Sequence, residues 1–265
     1  MDTFELKRRL KELPMGVVEY HNSIGSTNDR AAELYNQGAP HFSLVVADEQ
    51  TEGRGRSGRS WFTPPGAALA FSLVLRPDGL QDEAVLRCTG LGALAVCQSI
   101  QDIYTIPAMI KWPNDVLLSG KKVCGILAEA YWMGDQLGAI VLGIGINVSR
   151  ESVPVGEKLN FPATSLEAVH SQRVNRWDLL LGVLKSVQFW WPKLNDPAFI
   201  QAWEQHLAFI GEEVQLVNQD RVMLTGRPLG LDLNGWLRIE RDRGDITSIN
   251  IGEIHLRPMV DSDRK

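Results

Sequence analysis

"TEGRGRSGRSWFTPPGAALAFSLVLRP", Thr51 to Pro77, decides which fold this chain adopts. Gly53, Gly55 and Gly58 spell G-x-G-x-x-G, the dinucleotide fingerprint. Gly53, Gly58, Arg59 and Ser60 miss the P-loop pattern in having arginine where lysine belongs. Both motifs work because the glycine turn opens into a helix, whose N-terminal amides and dipole hold phosphate. Here it opens into Pro64 and Pro65, which break a helix in its first turn, and then into the apolar run Leu69 to Leu75, which reads as a strand. Neither motif has its context. The segment is a loop between two strands, carrying Arg54, Arg56 and Arg59. It is either a solvated basic hairpin or a lid that closes over an anion, with glycine admitting the backbone and arginine supplying planar donors.

Working outward, 265 residues suffice for one large domain and a small one. Hydrophobic residues at 44% and charged residues at 22% are ordinary for a globular chain. A formal net charge of -5 argues against a general nucleic-acid binder. The opening "MDTFELKRRLKELP" lacks the apolar core of a signal peptide, and no run reaches the ~18 apolar residues of a membrane span. Cys88, Cys97 and Cys124 make no C-x-x-C pair and read as reduced, buried, cytoplasmic thiols. The five histidines show no metal-ligand spacing.

Before the loop, the pattern predicts a helix over Thr3–Leu13, a strand over Val17–His21, and a helix capped by Ser26 or Thr27 that Gly38 ends. Beyond it come a helix over Asp82–Ile103, weakened by Gly90 and Gly92, and strands in "AMIKWPNDVLL", "KVCGILAEAYW" and "LGAIVLGIGINV". Residues 149–164 read as a long loop, and helices follow over Arg176–Leu194 and Pro197–Ile210. After Gly211 the chain turns to short alternating strands, the pattern of a small β-barrel. Residues 1–210 and 211–265 therefore form two domains. Helices and strands mix irregularly in the first, so the class is α+β rather than doubly wound.

In this order, "STN" (Ser26 to Asn28), "EQTEGRGRSGRSW", "KWPND" (Lys111 to Asp115), "KKVCGILAE", "GIGINV" and the closing "GEIHLR" make the chain resemble the biotin protein ligases along almost its whole length. The resemblance implies a class II synthetase-like catalytic domain, a mixed β-sheet with flanking helices, followed by an SH3-like barrel. It implies that biotin and ATP, with Mg²⁺, give biotinyl-5′-AMP. A lysine of the biotin carboxyl carrier protein of acetyl-CoA carboxylase then takes the biotin. Ser26, Thr27, Asn28, Gln50, Arg54, Gly55, Arg56 and Lys122 match the biotin contacts. Arg54, Arg56, Arg59, Trp61, Asn114, Lys122 and Asn147 match the nucleotide side. Lys122, Arg56 and Asp115 are the catalytic candidates. No fixed protein metal site is implied, nor any nucleic-acid or membrane partner, and monomer and homodimer both stay open.

The residue chemistry is compatible with that resemblance. Adenylation brings two anions together, so fixed cations such as Arg54, Arg56 and Lys122 answer a physical need. Biotin's polar ureido ring needs partners when buried, and Ser26, Thr27, Asn28 and Gln50 are short uncharged ones. Plainer readings stand beside these. Ser26–Thr27 suits an N-cap, Lys122 in "SGKK" a solvated turn, Asp115 after "PN" a turn former, Trp61 and Trp112 core packing, and Glu129 structure. Ser57 and Ser60 stand where many relatives are basic, and Phe161 is the candidate adenine cover in a divergent loop. A winged-helix DNA-binding domain has no room ahead of Ser23, so the expectation is a short form without repressor activity. The rival is a lipoate or octanoate ligase or transferase of the same fold, whose dithiolane has no use for the polar set.

Overall fold

The computed structural model describes residues 1–77, 84–154, 159, 161–218, 221–241 and 244–250, and the backbone of 255–258. The expected helix start at Asp82, part of the loop 149–164 and Gly252–Ile254 of the closing motif lie outside these residues.

Seven strands form one mixed sheet: β1 (Val18–His21), β2 (Ser43–Ala47), β3 (Ala68–Leu75), β4 (Met109–Lys111), β5 (Asp115–Leu118), β6 (Lys121–Met133) and β7 (Gln136–Asn147). Their order is β1-β2-β3-β7-β6-β5-β4, with β1–β2 parallel and the other neighbours antiparallel. The apolar runs of β2 and β3 are buried on both faces, which is why they lack polar alternation. Side chains alternate between faces, so Leu44 and Val46 join the main core while Val45 and Val74 face the other way. That second face is covered by α2 (Thr27–Asn36) through Ala31, Leu34 and Tyr35. The main core is closed by α3 (Ala84–Tyr104), α5 (Arg176–Trp190) and α6 (Pro197–Glu204). Gly90 of α3 is not a weakness in this packing. A Cβ there would lie 2.6 Å from the Trp203 indole, so glycine admits the largest side chain of α6.

The remaining strands, β8 (Val214–Asn218), β9 (Arg221–Leu231), β10 (Leu237–Glu240), β11 (Ile246–Ile249) and β12 (His255–Pro258), make a separate antiparallel sheet ordered β11-β10-β9-β8-β12. Two hydrogen bonds join it to the rest of the chain: Trp112 Nε1–H, in the turn between β4 and β5, donates to Gly235 O at 3.1 Å, and Leu231 N donates to Oε2 of Glu204, the last residue of α6, at 2.5 Å.

The helix ends depart from expectation where tertiary contacts intervene. The first helix, α1 (Thr3–Arg9), stops short of Leu13, ahead of Pro14, which disfavours helical geometry before it. Helix α6 stops at Glu204 because the next residues run extended against β4: Ile110 N donates to His206 O and Ala208 N to Ile110 O. Helix α5 ends at Trp190, and Trp191–Lys193 tightens into a 3₁₀ turn. A five-residue helix α4 (Leu166–His170), too short to show a period, went unforeseen.

Candidate active site

The Arg/Gly segment is an irregular hairpin. Trp61 N donates to Gly53 O at 2.7 Å, Gly55 N to Arg59 O at 2.6 Å, and Arg56–Gly58 makes a single 3₁₀ turn. No α-helix follows it before β3. The phosphate motifs that need one are thereby excluded. The hairpin lies over the middle of the sheet, where Gly125 of β6 stands opposite Gly145 of β7. Trp61 rests on that pair: a Cβ on Gly125 would come within 3.1 Å of its indole, and one on Gly145 would overlap it.

Between hairpin and sheet is a cavity of about 870 Å³. Its walls include every residue expected from the sequence: Ser26, Thr27, Asn28 and Gln50; Arg54, Gly55, Arg56, Arg59 and Trp61; Asn114, Asp115, Lys122 and Asn147. Four elements and a loop, far apart in sequence, supply them.

One wall is neutral and polar. Ser26 caps α2 by accepting from Asp29 N at 3.5 Å while also lining the cavity, so its two readings coexist. Thr27 N donates to Gln50 Oε1 at 2.8 Å, and Gln50 Nε2 donates to Thr63 Oγ1 at 3.1 Å. Ser72 Oγ lies 2.6 Å from Asn28 Oδ1, to which it donates, and 2.8 Å from Thr27 Oγ1. Ser72 was missed, although a lone serine inside "ALAFSLVL" was a visible signal. It is fully buried, and burying a hydroxyl requires partners of this kind.

A second wall is ionic. Asp115 accepts from Lys111 Nζ at 2.9 Å and pairs with Lys122 Nζ at 2.6 Å, one ammonium on each oxygen. Burial pushes the Asp115 carboxyl up, but the two ammoniums outweigh it and hold it well below the usual carboxylate range. A carboxylate so held is a poor proton acceptor, so among the roles open to a catalytic candidate, Asp115 suits orienting a neighbour better than taking a proton. Lys111 was quoted with its motif but given no role. It is 5% exposed, burial lowers its ammonium below the ordinary lysine range against the opposing pull of Asp115, and it sits 4.9 Å from the Phe161 ring centroid. Lys122 Nζ stands 5.4 Å from the Trp61 ring centroid.

The arginines divide. Arg54 donates to both oxygens of Glu129 at 2.9 Å and to Asp29 at 2.6 Å, so its fork meets protein carboxylates rather than standing open to phosphate. Arg56 donates to Asn114 Oδ1 at 3.3 Å, and Arg59 Nε to Arg56 O at 3.1 Å. Asn114 Nδ2 donates to Ile126 O, and Asn147 Nδ2 to Thr164 O at 3.1 Å. Among the described residues, no group of three His, Cys, Asp or Glu side chains could hold a metal.

The family model described as the biotin/lipoate A/B protein ligase family matches residues 20–147. Over 256 residues the chain is 34% identical to the bifunctional ligase/repressor BirA of Bacillus subtilis, covering 95% of this chain and 78% of that one. The chain belongs to the biotin protein ligase family. It is also 34% identical over 196 residues to the biotin–[acetyl-CoA-carboxylase] ligase of Paracoccus denitrificans, covering 71% of this chain and 80% of that one. Among solved structures it is similar to the biotin protein ligase from Aquifex aeolicus in complex with biotin and ATP. The TM-score is 0.78 at 32% identity, over 92% of this chain and 99% of that one. The fold expected of a biotin protein ligase is the fold found.

Proposed function

We propose that this chain is an ATP-dependent biotin protein ligase, forming biotinyl-5′-AMP and passing biotin to a lysine of a biotin carboxyl carrier protein. The observation that carries this reading is one cavity with a neutral polar wall at Thr27, Asn28 and Gln50 and a second wall that carries a paired ammonium, Lys122. A ureido ring suits the first wall, and a carboxylate meeting a phosphate suits the second. A lipoyl dithiolane has no ureido donors or acceptors and makes no use of the polar side chains of Ser26, Thr27, Asn28 and Gln50 that line the cavity, which favours biotin over the rival. The curated relatives named above carry ligase names, in support.

In the first step a biotin carboxylate oxygen attacks the α-phosphorus of ATP and pyrophosphate leaves. Lys122 bridges the carboxylate and the α-phosphate, with Arg56 and Arg59 on the nucleotide side beside Trp61, Asn114 and Asn147. Asp115 positions Lys122 instead of taking a proton. Mg²⁺ fits this donor set as an ion carried in on the nucleotide phosphates, since Asp115 is already engaged by two lysines. In the second step the carrier amine attacks the acyl carbon, loses its proton, and AMP leaves. The hairpin with Gly55 and Arg56 excludes water from the mixed anhydride meanwhile. Residues 1–210 constitute the catalytic domain and 211–265 the small barrel.

The same reading places the protein in the cytoplasm, without nucleic-acid or membrane partners. The acidic net charge supports it, and no helix among the described residues is long and apolar enough to cross a membrane. Incubation with biotin, MgATP and a recombinant carrier domain should yield a carrier heavier by one biotinyl group on one lysine. An unmodified carrier, or a lipoylated one in the parallel reaction with lipoate, would sink the proposal.

A further inference from the structure

The side chain of Glu129 receives two signals at once. Its carboxylate accepts from Arg54 through both oxygens at 2.9 Å, and its Oε2 also accepts from Asn28 Nδ2 at 2.7 Å. Arg54 belongs to the hairpin and Asn28 to α2 under the cavity, 26 positions earlier in the chain. From Asn28 the bonds continue inward. Its Oδ1 accepts from Ser72, Ser72 Oγ touches Thr27 Oγ1, and Thr27 bonds to Gln50. Asn28, Ser72 and Thr27 are at most 4% exposed. Gly143 makes room for the array, since a Cβ there would overlap the Asn28 amide oxygen. An unbroken chain of hydrogen bonds thus joins the lid arginine to the neutral polar wall.

We propose that Glu129 is a positioning residue that couples closure of the Arg/Gly hairpin to occupation of the polar wall. The proposal rests on the biotin ligase reading given above. The physical reason lies in the acceptor count. A carboxylate has two oxygens that only accept, so it serves the arginine fork and the asparagine amide together. A ligand that orders Thr27 and Gln50 orders Ser72 and Asn28, which holds the Glu129 rotamer and so holds Arg54. By linkage, a held Arg54 must strengthen ligand binding by the same factor. A glutamine of the same shape has one acceptor oxygen and an NH₂ group. Whichever way it turns, its NH₂ faces a donor, Arg54 Nη1 at the Oε1 place or Arg54 Nη2 and Asn28 Nδ2 at the Oε2 place, and the charge that holds the fork is gone, so the link to Arg54 fails.

The test is limited trypsin digestion of the full chain, following cleavage after Arg54, Arg56 and Arg59, with and without biotin. Calorimetry sets the biotin concentration that saturates each variant. In the wild type, saturating biotin should slow these cleavages. In Glu129→Gln, at its own saturating biotin, the protection should fall about tenfold, the worth of one charge-assisted bond. Ser72→Ala cuts the same chain one link further in, leaves Glu129 and Arg54 untouched, and should also lower the protection. A general weakening of the fold would speed cleavage with and without biotin alike, leaving their ratio unchanged. Equal protection in wild type and Glu129→Gln overturns the proposal. Should that variant fail to bind biotin, full protection in Ser72→Ala overturns it instead. A wild type that gives no heat with biotin overturns the ligase reading and this inference with it.

Discussion

Lys122 Nζ lies 2.6 Å from Asp115 Oδ1, inside a site where Lys111 already holds the other oxygen at 2.9 Å. The carboxylate aims one ammonium into the cavity and keeps a second from being a lone buried charge. Lys122→Ala should therefore slow biotinyl-AMP formation by ~10²-fold or more, the usual loss for one preorganised donor. Single-turnover formation of the adenylate measures it. A near wild-type rate would remove Lys122 from the chemistry.

Asp115→Asn tests positioning against base catalysis. If Asp115 took the acceptor lysine's proton, transfer from preformed adenylate would suffer far more than adenylation, because neutralising that amine at pH 7 costs ~4.6 kcal/mol. Because Asp115 instead holds Lys122, both half-reactions should fall by similar factors. A selective loss of transfer would restore the base.

Stability should follow the same carboxylate with pH. Its folded pKa lies below the unfolded value of ~3.9, so its contribution is present above that value and is lost as pH falls through the depressed one. Asp115→Asn also leaves the buried Lys111 ammonium without its partner, a loss of roughly 3–5 kcal/mol. Urea unfolding should show that deficit at pH 7, narrowing as pH drops below ~4. A deficit that stays constant with pH would contradict the ion triad.

Gly145→Ala should damage the site through Trp61. The new methyl would overlap the indole, and overpacking of this kind costs about 1–3 kcal/mol. Adenylation should fall at least ~5-fold, the rate equivalent of the lower end of that energy, while the melting transition stays cooperative. Unchanged adenylation would mean that the seat of Trp61 is irrelevant to the reaction.

Arg56→Gly should make the enzyme leak. Losing a charge-assisted hydrogen bond costs ~1.5–3 kcal/mol, which raises escape of the adenylate roughly ten- to a hundredfold. Free biotinyl-AMP acylates any exposed lysine, so serum albumin added to the reaction should appear on a streptavidin blot. Labelling confined to the carrier domain would end the lid role of the hairpin.

How far the sequence reached depended on range. The limits of α2 were legible because Ser26 and Gly38 mark them locally, and the hairpin because Pro64 and Pro65 deny it a following helix. Helix α6 was read too long because the competing partner of His206 and Ala208 is Ile110, almost a hundred residues away. The same holds in the site. Lys122 and Gln50 stand in distinctive local motifs. Lys111 and Glu129 matter through what surrounds them: burial beside Asp115 for one, and simultaneous contact with Arg54 and Asn28 for the other. No local pattern encodes those.

The most direct measurement is exchange of labelled pyrophosphate into ATP, run with biotin and, in parallel, with lipoate. It reads the first step alone and needs no carrier protein. The account predicts exchange that requires biotin, stays at background with lipoate, and drops ~10²-fold in Lys122→Ala. Exchange supported by lipoate as well as by biotin, or no biotin-dependent exchange from folded protein, would contradict it.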